Sequence, residues 1–444
     1  MAPDAGIEFR LSGKLKDSSL TNFSDLGLAE PILRAVTAQG YETPTPIQTQ
    51  VIPAMIAGKD ILGTAQTGTG KTAAFVLPLL NVLANSKQRL EPKACRALVL
   101  APTRELAAQI VDSVRAYSSE MRASVTMIIG GVKISKQIRA MQRGVDIVVA
   151  TPGRLLDLKS QGAIRFDQIE TVVLDEADHM MDMGFLPQIR KVLSQLPEKR
   201  QTALLSATMP KDIRVLADKF LNDPVNIAVA AVSKPVERID QSVRFLTSNQ
   251  KRDALTEILS AKDVDSAIVF TRTKRGADRV CRHLEGAGLA SAAIHGNKSQ
   301  NQRTKTLDAF RHRKLRVLVA TDIAARGIDI DKVSHVVNFE LPNVPESYVH
   351  RIGRTARAGE SGKAITLCAP DERKLLRDIE KVIGNRLPGS EAGGPDEPRG
   401  DTSERSFRPE KDGQPRRRPR RRNHRGQGGS KAQGKGQRQS SHAS

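Results

Sequence analysis

The chain has only three cysteines, Cys95, Cys281 and Cys368, far apart and without a CxxC pair. An odd, scattered set of thiols indicates neither a disulfide framework nor a zinc site, and it suits a reducing cytoplasm. Tryptophan is absent, and aromatic residues make up 3% of the sequence. Long apolar runs are missing too. The first twenty residues scatter Asp, Glu, Lys and Arg among apolar positions. This excludes a signal peptide, and nothing later approaches a membrane span. A cytoplasmic, non-exported protein is expected.

Negative charge is in deficit: the net charge is +21 over 444 residues. Such a balance attracts polyanions and releases counterions when it meets phosphates. Ten Lys or Arg and no Asp or Glu fall in the last 32 residues, so about half of the excess sits there. Beyond residue 388 the composition turns to Gly, Pro, Ser, Gln and Arg, which cannot bury enough surface to offset ordering. Residues 389–444 should therefore be a disordered Arg/Gly/Gln-rich tail, and 1–22 a flexible start.

Between these ends, short β-branched runs alternate with helical patterns. Residues 60–64, 97–101, 124–129, 145–150, 171–174 and 203–206 read as strands, and a second series follows at 241–246, 267–270, 291–294, 316–320, 335–339 and 363–367. This βαβ rhythm predicts parallel sheets with helices on both faces. A break rich in Ser, Lys and Pro separates the series. The expected organisation is an α/β chain of two domains, 23–229 and 240–388, joined by a linker at 230–239.

One loop carries explicit chemistry. Ala65-Gln66-Thr67-Gly68-Thr69-Gly70-Lys71-Thr72 follows a strand and precedes the helical run 72–83, the setting of a phosphate-binding loop. Gly68 and Gly70 let backbone N–H groups close on phosphate oxygens, Lys71 bridges β- and γ-phosphates, and Thr72 ligates Mg²⁺. Ala65 stands where the general pattern has glycine. Downstream, an apolar strand ends in Asp175-Glu176, which assigns Asp175 to the metal and Glu176 to the attacking water as base. ATP and Mg²⁺ are the expected cofactors.

Asp175-Glu176-Ala177-Asp178 spells the signature of the DEAD-box RNA helicases, and other blocks match that family in order. They are Gly40-Tyr41-Glu42-Thr43-Pro44-Thr45-Pro46-Ile47-Gln48, Pro102-Thr103-Arg104-Glu105-Leu106, Gly130-Gly131, Thr151-Pro152-Gly153-Arg154, Ser206-Ala207-Thr208, Thr321-Asp322 through Asp329, and His350-Arg351-Ile352-Gly353-Arg354-Thr355-Ala356-Arg357. The chain thus resembles that family over 23–387, most closely its bacterial RhlE-type branch. The resemblance implies tandem RecA-like domains and an RNA-dependent ATPase that unwinds short RNA duplexes and remodels RNA–protein complexes.

By the same resemblance, Gln48 reads the adenine edge and Phe23 stacks on the ring, although Phe23 reads equally well as a core residue. Asp329 would hold the ribose, and Arg354 and Arg357 would be arginine fingers from the second domain. Asp178, Ser206 and Thr208 would couple the two halves of the reaction. Pro102, Thr103, Arg104, Gly131, Thr151 and Arg154, with Arg272, Gln300, Arg303 and Thr321, would follow the RNA backbone without reading bases. Ala356 replaces a glycine common in relatives, which puts only fine packing in question. Ribosomal precursors or the RNA-decay machinery are candidate partners, no membrane is involved, and a monomer is expected. Two other readings compete: an ATP-switched RNA clamp with little unwinding, and a DNA translocase.

Overall fold

Strands apolar at every position can only be satisfied if both faces are covered, and two sheets meet that demand. The computed structural model describes residues 22–66, 68–85, 90–229, 239–325, 333–356 and 362–389. The linker at 230–238, the residues before 22, the tail from 390, and Thr67, Asp329 and Arg357 lie outside the described residues.

The first sheet contains β1 (Ile61–Thr64), β2 (Cys95–Leu100), β3 (Val125–Ile128), β4 (Val145–Ala150), β5 (Thr171–Leu174), β6 (Gln201–Ser206) and β7 (Val225–Ala228). Their spatial order is β3-β4-β2-β5-β6-β1-β7, and the paired strands run parallel. Alternation divides each strand between two cores: Ala97 and Val99 face one, Leu98 and Leu100 the other, and Val173 opposes Val172 and Leu174 in the same way. The β7 strand was not foreseen. Only Ile227 of its four residues is buried, so this edge strand carries no apolar run to announce it.

The second sheet contains β8 (Ile239–Phe245), β9 (Ala267–Thr271), β10 (Ser291–Ile294), β11 (Val317–Thr321), β12 (His335–Asn338) and β13 (Gly362–Cys368), ordered β10-β11-β9-β12-β13-β8 and again parallel. Ala267 and Val269 point into one core, Ile268 and Phe270 into another. No helix among the described residues is long and apolar enough to cross a membrane. Both sheets belong to one compact unit, so contacts between them are part of one body.

A buried ion pair fastens the second domain. Lys251, in the helix Gln250–Ser260, bonds to Glu372, and both are nearly without solvent access. Glu372 also pairs with Arg272 at 3.1 Å and accepts the N–H groups of Leu341 and Ala369. Removing one partner of such a pair strands a buried charge, at a cost of about 3–5 kcal/mol. Glu372→Gln should therefore lower the stability of the second domain by roughly that amount in urea denaturation. An unchanged midpoint would show that the network is not holding the domain.

Candidate nucleotide and RNA site

Three neighbouring strands, β5, β6 and β1, end side by side, and the loops leaving their C-terminal ends carry the sequence motifs. This edge of an open parallel sheet is where ligands are bound. The loop after β1 leads into the helix Lys71–Asn85, whose residues from Ala73 to Asn81 are buried. Gly68 and Gly70 have φ of +85° and +87°, in the left-handed region that glycine tolerates. A Cβ on Gly70 would come within 2.5 Å of Gln48 Nε2, whereas the space above Gly68 is open. Lys71 Nζ donates to the Ala65 carbonyl at 2.8 Å, so its ammonium is held inside the loop at the helix N-terminus. Thr69 Oγ1 donates to the Gln66 carbonyl.

Gln48 is buried beside this loop. Its Oε1 accepts the Thr45 N–H at 2.8 Å, and its Nε2 donates to the Gly70 carbonyl at 3.2 Å. Phe23 is 6% exposed and lies in the core, stacked on Tyr41 with ring centroids 6.5 Å apart. Tyr41 keeps 44% of its surface exposed. Of this pair Tyr41 is the more exposed, although it also meets Tyr117, with the two hydroxyls 3.2 Å apart.

The carboxylates lie across from Lys71. Burial pushes Asp175 up to about 7; Lys71 opposes this and the Glu176 charge adds to it. Burial also pushes Glu176 up, but the hydrogen bond and charge of His179, with Lys71 and Arg354, bring its carboxyl below the usual value. Glu176 sits at φ +53°, a strained conformation for a residue with a Cβ, and one that clusters at functional sites. Asp178 accepts the Thr208 N–H and hydroxyl, both at 2.9 Å, while Ser206 Oγ accepts the Asp178 N–H at 3.2 Å. The sequence-assigned trio is thus joined directly.

A buried carboxylate raised to about 7 by desolvation, on the sheet edge that also carries the phosphate loop, offers the oxygen donor that a hard divalent cation takes. Such a cation favours the ionised carboxylate and retains most of its waters.

The second domain delivers two arginines from one short segment, with different surroundings. Arg351, in the helix Glu346–Ile352, is 2% exposed and forks onto Asp322 at 2.5 and 2.8 Å, with further bonds to Asn338 Oδ1 and the Glu340 carbonyl. It locks the ends of β11 and β12 together. Arg354 is 4% exposed, and its charge reaches Glu176 of the first domain. His350 Nδ1 lies 3.3 Å from His179 Nε2 across the same junction.

The residues expected along RNA line the edge formed by β2, β4 and β3 and the facing part of the second domain. Arg104 lies over Gly131, where a Cβ would come within 2.1 Å of its guanidinium. Arg154 donates to the Val132 carbonyl at 3.0 Å. Thr103 caps the helix Arg104–Tyr117 by accepting the Leu106 N–H; Pro102, Thr151 and Thr321 are buried. Across the domains, Arg104 donates to Gln300 at 3.3 Å, Gln300 donates to Glu105 at 3.0 Å, and Arg303 pairs with Glu105 at 2.8 Å. Glu105, which carries no assignment from the sequence, thus joins Gln300 and Arg303, and Gln300 in turn joins Arg104. Arg272 leans back on Glu372 within its own domain.

Comparison with known proteins bears on the same surfaces. Residues 45–216 match the DEAD/DEAH box helicase model, and residues 250–359 match the helicase conserved C-terminal domain. The RNA helicase CrhR of Synechocystis is 46% identical over 369 residues, spanning 83% of this chain and 74% of that protein. This chain belongs to the DEAD-box RNA helicase family. The DEAD-box ATP-dependent RNA helicase CshA of Geobacillus kaustophilus is 44% identical over 83% of this chain and 78% of its own length. Among solved structures, S. cerevisiae Dbp5 bound to RNA and ADP BeF3 superposes with a TM-score of 0.74 at 31% identity, covering 84% of this chain and 97% of that one.

In this DEAD-box helicase, Ala356 stands where the family resemblance leads one to expect glycine. Its φ is +54°, where an added Cβ costs about 1–2 kcal/mol. A backbone cost therefore adds to the expected change in packing.

Proposed function

We propose that the protein hydrolyses ATP in an RNA-dependent manner and uses closure of its two RecA-like domains to separate short RNA duplexes and remodel RNA–protein complexes. The observation that carries this reading is the meeting of the two domains at their motif residues: His179 Nε2 of the first lies 3.3 Å from His350 Nδ1 of the second, and Arg354, four residues further on, is buried. A site split between two domains is complete only when they close.

In this reading Lys71 and the N–H groups around Gly68 and Gly70 hold the phosphates, and by resemblance Gln48 reads the adenine edge and Phe23, packed against Tyr41, stacks on the base. Glu176 holds the attacking water and takes its proton, and its depressed pKa keeps it ionised for that task. Arg354, with Arg357 by family resemblance, meets charge developing on the transferred phosphoryl group. Asp175 and Thr72 would hold Mg²⁺, which supplies neutralisation of phosphate charge. Thr67 and Asp329 keep their assignments to phosphate and ribose by resemblance.

Arg104, Gln300 and Arg303 would exchange their mutual contacts for RNA phosphates, alongside Pro102, Thr103, Gly131, Thr151, Arg154, Arg272 and Thr321. Contacts of this kind tolerate any sequence. We assign the domains to 23–229 and 240–388 and the protein to the cytoplasm as a monomer. Ribosomal precursors or RNA-decay complexes are the substrates whose short duplexes suit local unwinding, and the RhlE-type branch remains our assignment within the family.

Strand displacement tests the reading. A short RNA duplex with a single-stranded extension should separate on addition of ATP, and single-stranded RNA should stimulate hydrolysis. Equal stimulation by duplex DNA, or hydrolysis indifferent to RNA, would sink the proposal.

A further inference from the structure

Two imidazoles meet where the domains touch. His179 belongs to the helix Ala177–Asp182 after β5, and His350 to the helix Glu346–Ile352 of the second domain. His179 is 2% exposed, and its Nδ1 lies 2.9 Å from Glu176 Oε2. An ionised carboxylate only accepts, so Nδ1 carries a proton, and in the neutral tautomer Nε2 then presents a lone pair. That lone pair faces His350 Nδ1 at 3.3 Å, with the rings at 79° to one another.

Asp178 completes the group: one ligand atom from each of Asp178, His179 and His350 lies within 4.8 Å of the other two. The Asp178 carboxylate accepts two bonds from Thr208 and one from the His179 N–H. An ionised carboxylate offers about four lone-pair positions, so one remains for a cation.

We propose that this junction is a binding site for a transition-metal ion of the Zn²⁺ type, built from Asp178, His179 and His350. Two ligands about 2.0–2.1 Å from a tetrahedral ion lie about 3.3–3.4 Å apart, which matches the spacing of the two nitrogens. Two imidazoles and a carboxylate form a donor set that favours zinc over magnesium. Glu176 on the far nitrogen of His179 supplies the outer carboxylate that commonly orients a metal-bound histidine. The site is distinct from the donors assigned to Mg²⁺, Asp175 and Thr72, which offer only oxygen.

Two ligands come from one domain and one from the other, so an ion here ties the closed form together. It also draws the His179 ring, and through it Glu176, into a fixed arrangement. The metal is thereby a brake: it stabilises closure and slows reopening.

Co²⁺ serves as the spectroscopic probe, added to the full chain with excess Mg²⁺, single-stranded RNA and a non-hydrolysable ATP analogue. One equivalent should bind with the visible absorption of a four- or five-coordinate ion, and Zn²⁺ should displace it. Omitting RNA and analogue should weaken binding at least about tenfold, because the ligands then lie on separate domains. His350→Gln and His179→Gln should each weaken it by a similar or larger factor. Two variants are used so that misfolding of one leaves the other to decide. An absorption band unchanged in both would place the ion elsewhere and overturn the proposal. Absorbance reads the site without turnover, so this outcome is separable from failure of the helicase assignment.

Discussion

Arg354→Ala should reduce RNA-stimulated ATP turnover by about 10³-fold or more while ATP affinity changes little. The argument rests on where charge is present at each stage. In the bound ground state the phosphates already meet Lys71 and the loop N–H groups, whereas Arg354 acts on charge that develops only during transfer. Its neighbour Arg351 cannot substitute, because its guanidinium is committed to Asp322, Asn338 and Glu340. Single-turnover hydrolysis and titration with a fluorescent ATP analogue separate the two effects. A thermal melt guards against simple unfolding, since Arg354 is buried. Hydrolysis within tenfold of the parent protein would remove Arg354 from the transition state.

Glu176→Gln should also be severe, by about 10²–10⁴-fold in turnover, with a different signature. Glutamine keeps the size of the side chain and an oxygen for the His179 N–H, but it cannot take a proton. The Glu176 charge also contributes to the raised pKa of Asp175. Its removal therefore favours ionised Asp175, and Mg²⁺–ATP binding should hold or tighten. The expected phenotype is a protein that closes on ATP and RNA and stays closed, read as a slowed dissociation of labelled RNA. Normal turnover would refute the base assignment. Weakened nucleotide binding would instead assign Glu176 to the ground state.

Much of the fold was legible because burial on both faces leaves a strong mark. Strands such as 145–150 and 171–174 are mostly β-branched or apolar, and the sequence places their ends to the residue. The edge strand Val225–Ala228 escaped for the converse reason, since three of its four residues face solvent and its only partner strand is β1.

The site divides along the same physical line. Backbone conformation at Gly68 and Gly70, and adjacent carboxylates at a strand end, are local requirements, and local requirements are written in consecutive residues. Partnerships between distant residues are not. Nothing in the spacing says that Glu105 joins Arg303, that His179 faces His350, or that Phe23 turns inward and leaves Tyr41 exposed. Ala356 shows the limit from the other side: its identity was visible, but its cost depends on a φ that only the folded backbone reveals.

Two parallel α/β sheets, a phosphate-binding loop and a family are legible without coordinates, because periodicity and short motifs encode backbone geometry and local chemistry. The tertiary structure decided which arginine serves the fold and which faces the first domain's carboxylates, and which side chains meet across the cleft. Across the cleft, His179 and His350 stand 171 positions apart in the chain and Arg104 and Gln300 stand 196 apart, and the contacts of Arg351 join separate strand ends, so all are fixed by strand order and domain packing rather than by any local pattern.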